Sequence, residues 1–132
     1  MSDSRPADWD WVKHTHECNA LVMFGVLQVL SNQNVTRRNE QLGKERFEFE
    51  QINGGHFAVG LRGDFHSRVF VRVTGDDLRR IAIGTHRNPD KAVYALALDA
   101  DGACRFKLGE ELLAPWQVLK AALEPLLFGR HD

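Results

Sequence analysis

The chain has 132 residues, of which 43% are hydrophobic and 27% are charged, and its formal net charge is −1. This length suits a single domain with one core, and the composition is ordinary for a globular protein. A net charge near zero gives no preference for nucleic acid or for an anionic membrane. The longest apolar run covers residues 20–30 and is shorter than the roughly 20 residues that a bilayer requires, so no membrane association is expected.

The chain contains two cysteines, Cys18 and Cys104, and an acidic N-terminal region that carries tryptophans. Two cysteines set no disulfide framework, which makes a reducing compartment the default expectation. The N-terminal region does not resemble a secretory signal peptide. We therefore expect a cytoplasmic protein in which residues 1–132 form a single α+β domain, with loose termini at 1–5 and 129–132.

A long helical segment is predicted for Ala7–Leu42. Its apolar residues recur at the three- and four-residue spacing of one helix face and are Trp9, Val12, His16, Ala20, Met23, Leu27 and Leu30. Beyond Ala20 the segment is apolar almost all round, so we expect it to be covered by the sheet and by the last helix or a second subunit. Gly25 either allows close packing or marks a kink, which leaves open whether the segment is one helix or two.

The stretch from Lys44 to Leu108 predicts six short strands separated by five turns. Polar and apolar residues alternate through 46–50 and 68–73, as they do in strands with one solvated face. Asn53-Gly54 tolerates the positive φ angles of a tight hairpin. Because all the connections are short, neighbouring strands should pair antiparallel in a meander. The side chains predicted to face the core are Phe57, Val59, Leu61, Val69, Val71, Val73, Ile81, Ile83, Tyr94, Leu96, Leu98, Cys104, Phe106 and Leu108.

A C-terminal helix is predicted to begin at Ala114 or Pro115. Its apolar stripe consists of Trp116, Leu119, Leu123 and Leu126. Pro125 lacks the N–H that the helical ladder needs, so the helix should kink there or end at Glu124. The predicted fold is thus an N-terminal helical segment, a six-stranded antiparallel meander sheet and a C-terminal helix packed on one sheet face.

The opposite sheet face carries the candidate binding residues. Arg68, Phe70 and Arg72 alternate along one strand, and Arg62 is predicted to lie nearby. An aromatic ring among cations is typical of surfaces that bind single-stranded nucleic acid. Alternating arginines are also ordinary on a solvated strand, so nucleic acid is the less favoured partner. Small residues at the other outward positions would admit a partner subunit, a helix or a ligand; they are Ala58, Gly60, Ala82, Gly84, Ala95 and Ala97.

The sequence nominates no catalytic residue, cofactor or metal site. His14, His16 and Cys18 have the chemistry of zinc ligands, but on a helix only His14 and Cys18 share a face. A cysteine nucleophile would need a histidine brought close by the fold, and no local motif indicates one. Glycine-rich phosphate loops and nucleophile elbows are missing from the sequence.

Two functions remain open at this point. The first is a non-enzymatic protein-interaction module, expected to be a homodimer, which the apolar first helix and the small-residue sheet face favour. The alternative is a small-molecule-binding protein or enzyme with a cavity between the sheet and the helices. A hollow lined by convergent polar groups would favour the second.

Overall fold

A computed structural model describes residues 5–129. Two helices come first, α1 (Trp11–Glu17) and α2 (Ala20–Leu42), and one helix comes last, α3 (Pro115–Phe128). A 3₁₀ turn covers Phe65–Ser67. The strands between α2 and α3 are β1 (Phe47–Asn53), β2 (His56–Leu61), β3 (Val69–Thr74), β4 (Arg80–Gly84), β5 (Ala92–Leu98), β6 (Cys104–Leu108) and β7 (Glu111–Leu113).

The strands form one antiparallel meander in the order β1-β2-β3-β4-β5-β6-β7. The predicted α+β class and antiparallel pairing are therefore confirmed, but the sheet has seven strands where the sequence predicted six. The additional strand, β7, pairs with β6 through a hairpin in which Leu108 lies opposite Glu111. Gly109 has a φ of 60° in its two-residue turn, which suits glycine. Three residues are too few for β7 to show alternation in the sequence.

The N-terminal segment is two helices that separate at Cys18 and Asn19, and α2 continues through Gly25 without a break. Asn19 is extended, and its side-chain oxygen accepts from the backbone N–H of Val22, which caps α2. The chain leaves α2 at Gly43, which has a φ of 69°. A Cβ built on Gly25 would have no atom within 4 Å, so no packing inside the molecule requires a glycine there.

Both long helices cover the same sheet face, where the core lies. Its largest fully buried side chains are Phe24 and Leu27 from α2, Phe47, Phe57, Val59, Val71, Ile81 and Phe106 from the sheet, and Val118, Leu119 and Leu123 from α3. Four side chains of the predicted apolar faces are instead exposed, and two of them, Val12 and His16, lie on α1, which buries no residue. Leu108 is 41% exposed next to the β6–β7 turn, and Trp116 is 63% exposed because it lies on the side of α3 away from the sheet.

The C-terminal helix passes through Pro125 and continues to Phe128, so the second of the two predicted alternatives, an end at Glu124, is wrong. Pro125 cannot donate to the carbonyl of Ala121, so one helical hydrogen bond is lost. Burial of Leu126 and Leu127 in the core holds the last turn in place despite that loss. The predicted loose termini lie largely outside the described residues; Arg5, within them, places its guanidinium 4.3 Å from the ring centre of Trp9.

A disulfide joins Cys18, at the end of α1, to Cys104, at the start of β6. The Cα atoms are 5.3 Å apart, and 86 positions separate the two residues in sequence. The expectation of two unpaired cysteines was therefore wrong, because the fold brings together residues whose spacing indicates no pairing. The bond also leaves neither thiol free to act as a nucleophile or a metal ligand. Disulfides are typical of oxidising compartments, and the cytoplasmic location stays an untested prediction.

Reduction of this disulfide should lower the free energy of unfolding by about 2–4 kcal/mol, because the bond restricts a long loop in the unfolded chain. Urea denaturation with and without a reductant measures the difference. The Cys18→Ser/Cys104→Ser double variant is the control. Its free energy of unfolding should equal that of the reduced wild type and should not change when reductant is added. Equal stability of oxidised and reduced wild type would contradict the prediction.

Candidate functional site

The four nominated binding residues do not form one cluster. Phe70 and Arg72 in β3, and Arg68 immediately before it, alternate on the sheet face away from the helices, which we call the outer face. Arg62 lies beyond the end of β2 and pairs with Glu45 at 2.8 Å, with both side chains mostly exposed. The structure thus brings three of the four together and leaves Arg62 on the rim of the sheet.

Arg68 is held in place by carboxylates of β1. Its guanidinium contacts Glu48 at 3.3 Å and Glu50 at 2.5 Å, and only 15% of its side chain is exposed. The side chain crosses Gly60, where an added Cβ would lie 2.8 Å from Arg68 Cγ. Gly60 therefore makes room for an arginine of the same face, and not for a second layer.

Arg72 is neutralised in the same way by the β4–β5 connection. It pairs with Asp90 and donates to the Thr74 hydroxyl at 3.0 Å. The same connection passes over Gly84, where a Cβ would lie only 2.1 Å from the carbonyl oxygen of Asn88. The first four strands thus use two of the small outward residues to fit their own chain, and both arginines already have anionic partners.

His56 and Phe70 complete this part of the outer face, with ring centres 5.6 Å apart. The Nε2 atom of His56 is buried and has no hydrogen-bond partner. Burial, and then the positive charge of Arg72, lower the pKa of His56. This histidine therefore stays neutral in the folded protein at pH values where an exposed histidine would take up a proton.

A groove runs between α2 and α3 on the side away from the sheet, with a volume of about 470 Å³. Its floor consists of leucines, Leu30 from α2 and Leu119, Leu123 and Leu127 from α3. Trp116 and Phe128, 63% and 61% exposed, stand one at each end of the α3 wall. The sequence analysis missed this groove because it assigned Trp116 to the apolar stripe that packs on the sheet.

Cations line the rim of the groove. Arg37 and Arg38 come from α2, and Lys120 from α3 lies 3.9 Å from Glu124. Arg38 donates to the Leu127 carbonyl at 2.8 Å, and its guanidinium lies 4.0 Å from the ring centre of Phe128. Within residues 5–129 neither Arg37 nor Arg38 pairs with a carboxylate. The rim is therefore net positive.

A second concave feature, the sheet–α3 cleft, opens between α3 and the ends of β3, β4 and β5, with a volume of about 430 Å³. It exists because the facing side chains are small: Ala121, Ala122 and Pro125 on α3, and Ala92 on the sheet. The sequence analysis left open a small-molecule-binding function with a cavity between the sheet and the helices, and the presence of this open cleft does not test that function.

No three histidine, cysteine or acidic side chains converge within residues 5–129 in a way that could hold a metal ion. In the same part of the chain, no helix is both long and apolar enough to cross a bilayer. Comparison with known proteins found no matching family model, no matching curated protein and no matching solved structure. Function is therefore inferred from the geometry of this chain.

Replacement of His56 by phenylalanine should reduce the loss of stability in acid. The lowered pKa of His56 means that the unfolded chain binds a proton more readily than the folded one. Its stabilising contribution is thus complete above a pH of about 6.5 and is lost as the pH falls through the folded pKa. Melting temperatures measured at pH 7.5 and pH 5 should differ less in His56→Phe than in wild type.

The exposed His86 provides the matched control. His86→Phe should keep the wild-type difference between the two melting temperatures. If His56→Phe keeps this difference too, His56 does not contribute to acid sensitivity.

Proposed function

We propose that this protein is a non-enzymatic interaction module whose α2–α3 groove binds an amphipathic helix with acidic flanks. One observation carries the proposal: two large aromatic side chains stand exposed beside a leucine floor between two packed helices. Grooves of this kind take up the apolar face of a partner helix, with anchors at positions i, i+3, i+4 and i+7. Exposed aromatic side chains are also the residue type most often dominant in binding energy.

The dimensions of the groove suit a helix of three to four turns. Trp116 and Phe128 are twelve residues apart on α3, which corresponds to about 18 Å along the helix axis. No sheet residue lines the groove, so a ligand helix would contact the helical layer alone.

The rim decides the charge of the partner. Arg37 and Arg38 have no carboxylate partner within residues 5–129, whereas Lys120 and Glu124 pair with each other. Acidic residues beside the apolar face of the incoming helix would therefore meet positive charge on the α2 wall. Such rim charges act mainly on association rate and partner choice.

A charge-swap experiment tests the proposal with two capped 18-residue peptides, each a leucine-faced amphipathic helix, one flanked by glutamates and one by lysines. Fluorescence anisotropy should show that wild type prefers the acidic peptide by about tenfold, the equivalent of roughly 1.4 kcal/mol. Arg37→Glu should lower the affinity for the acidic peptide and raise the affinity for the lysine peptide. Trp116→Ala should lower the affinity for both peptides, because it removes an aromatic anchor.

Arg79→Glu is the matched control, since Arg79 is highly exposed and does not line the groove. It makes the same change in net charge and should leave both affinities near wild type. Equal effects of Arg37→Glu and Arg79→Glu, or no saturable binding of either peptide, would overturn the groove as the interaction site.

The solvent-exposed side of α2 around Gly25 favours a second candidate function, self-association through this helix. Leu21, Val22 and Val29 are each at least half exposed, and they surround Gly25. A glycine in a helix interior costs about 1 kcal/mol relative to alanine, and no contact inside the chain requires it. A second helix crossing at Gly25 would use the missing side chain for close approach.

A second copy of the same helix suits this surface. From Ala20 to Thr36 the chain has no charged residue, so a two-fold axis would place no like charges opposite each other. The homodimer expected from the apolar segment would then use α2, and the groove on its other side would stay open to a partner.

Val22→Asp should shift a dimer toward monomer, because it places two carboxylates in an apolar contact. Sedimentation velocity at micromolar concentration measures the change. Thr36→Asp, about 16 Å along the helix from Gly25, is the control and should sediment as wild type does. A strictly monomeric wild type would rule out this second candidate.

A further inference from the structure

We propose that the sheet–α3 cleft binds a small molecule with an apolar body and one anionic head, a carboxylate or a phosphate. This site is separate from the α2–α3 groove, and neither depends on the other. The proposal rests on three observations: the shape of the cleft, the sign of its charge, and a tyrosine hydroxyl at its lining that donates to no group of the described residues.

The inner part of the cleft is apolar. Its wall consists of Val69, Ile83 and Ala92 from the sheet and Ala122, Pro125 and Leu126 from α3. A volume of about 430 Å³ falls in the range of sites that enclose small organic ligands, which is roughly 300–1,000 Å³. The size and lining thus fit an apolar body of modest length.

The polar side chains of the cleft are basic or neutral, and none of its lining residues is acidic. Lys91 carries positive charge, and His66 and Thr85 add groups that can donate hydrogen bonds, whereas the Arg68 side chain lies on the outer face and the Ser67 hydroxyl already donates to the Asp64 carbonyl. Arg68 is already shared between Glu48 and Glu50, whereas Lys91 forms no ion pair within residues 5–129. Lys91 is therefore the cation available to a ligand, which selects a negative head.

Tyr94 places a phenol at the cleft. The residue is 4% exposed and lines the cleft, and its ring packs edge-on against Phe106 with ring centres 6.0 Å apart. Its hydroxyl is not among the buried polar atoms that lack a partner, and it donates to no side chain or carbonyl of the described residues. Burial raises the pKa of Tyr94, so the hydroxyl remains a donor at neutral pH. A ligand oxygen in the cleft would supply an acceptor.

Isothermal titration calorimetry at pH 8 with three probes of equal chain length tests the proposal: decanoate, decyl phosphate and decanol. Decanoate or decyl phosphate should bind saturably, and the comparison between them identifies the preferred head. Decanol should bind about tenfold more weakly, because it lacks the charge that Lys91 attracts.

Variants assign the binding to the cleft. Lys91→Ala, at an exposed position, should weaken the better anionic probe by about tenfold and leave decanol unchanged. Tyr94→Phe removes only the hydroxyl and should weaken the same probe by about threefold to tenfold. Ala121→Trp, on the exposed edge of α3, should fill the cleft and abolish binding of all three probes.

Lys44→Ala removes an exposed lysine in the α2–β1 connection and is the matched control, expected to bind as wild type does. Circular dichroism establishes whether each variant is folded. If Ala121→Trp does not fold, Lys91→Ala still decides the test. The proposal is overturned by the lack of saturable binding of both anionic probes, by equal affinity for decanol, or by anion binding that Lys91→Ala leaves intact.

Discussion

Every surface of interest in this protein depends on one constraint: two helices must bury one face of a seven-stranded sheet. Side chains of Phe57, Val71 and Phe106 are removed from water only where α2 and α3 lie over them. Antiparallel sheets twist, so two straight helices packed side by side cannot cover the core face of the sheet completely. The sheet–α3 cleft is a place where this cover is incomplete, and the α2–α3 groove lies between the same two helices on their side away from the sheet.

Alternation and turn chemistry were sufficient to predict most of the fold. The strands, their antiparallel order and most inward side chains follow from the two-residue period and from turns such as Asn53-Gly54. The missed strand β7 is too short to show a period. The helix break at Asn19 was missed because an asparagine cap reads as one more polar residue in an otherwise helical pattern. Pro125 was given too much weight, since tertiary burial of its neighbours outweighed one lost hydrogen bond.

The candidate sites were less accessible from sequence, because they depend on distances between segments far apart in the chain. The outward position of Arg68 was predictable, but its neutralisation by Glu48 and Glu50 required the register of three strands. Likewise, periodicity places Trp116 on the apolar stripe of α3, but only the position of α2 decides whether that stripe meets the sheet or solvent. The pairing of Cys18 with Cys104 also arises from the path of the whole chain.

That disulfide has a further consequence for how the molecule responds to a protease. The turn between β3 and β4 is exposed, and Leu78 there has a positive φ of 54°, so this turn is a plausible place for a nick. It lies inside the loop that the bond closes. A single cut there would leave two fragments joined through sulfur, which would migrate as one band on a non-reducing gel and as two after reduction.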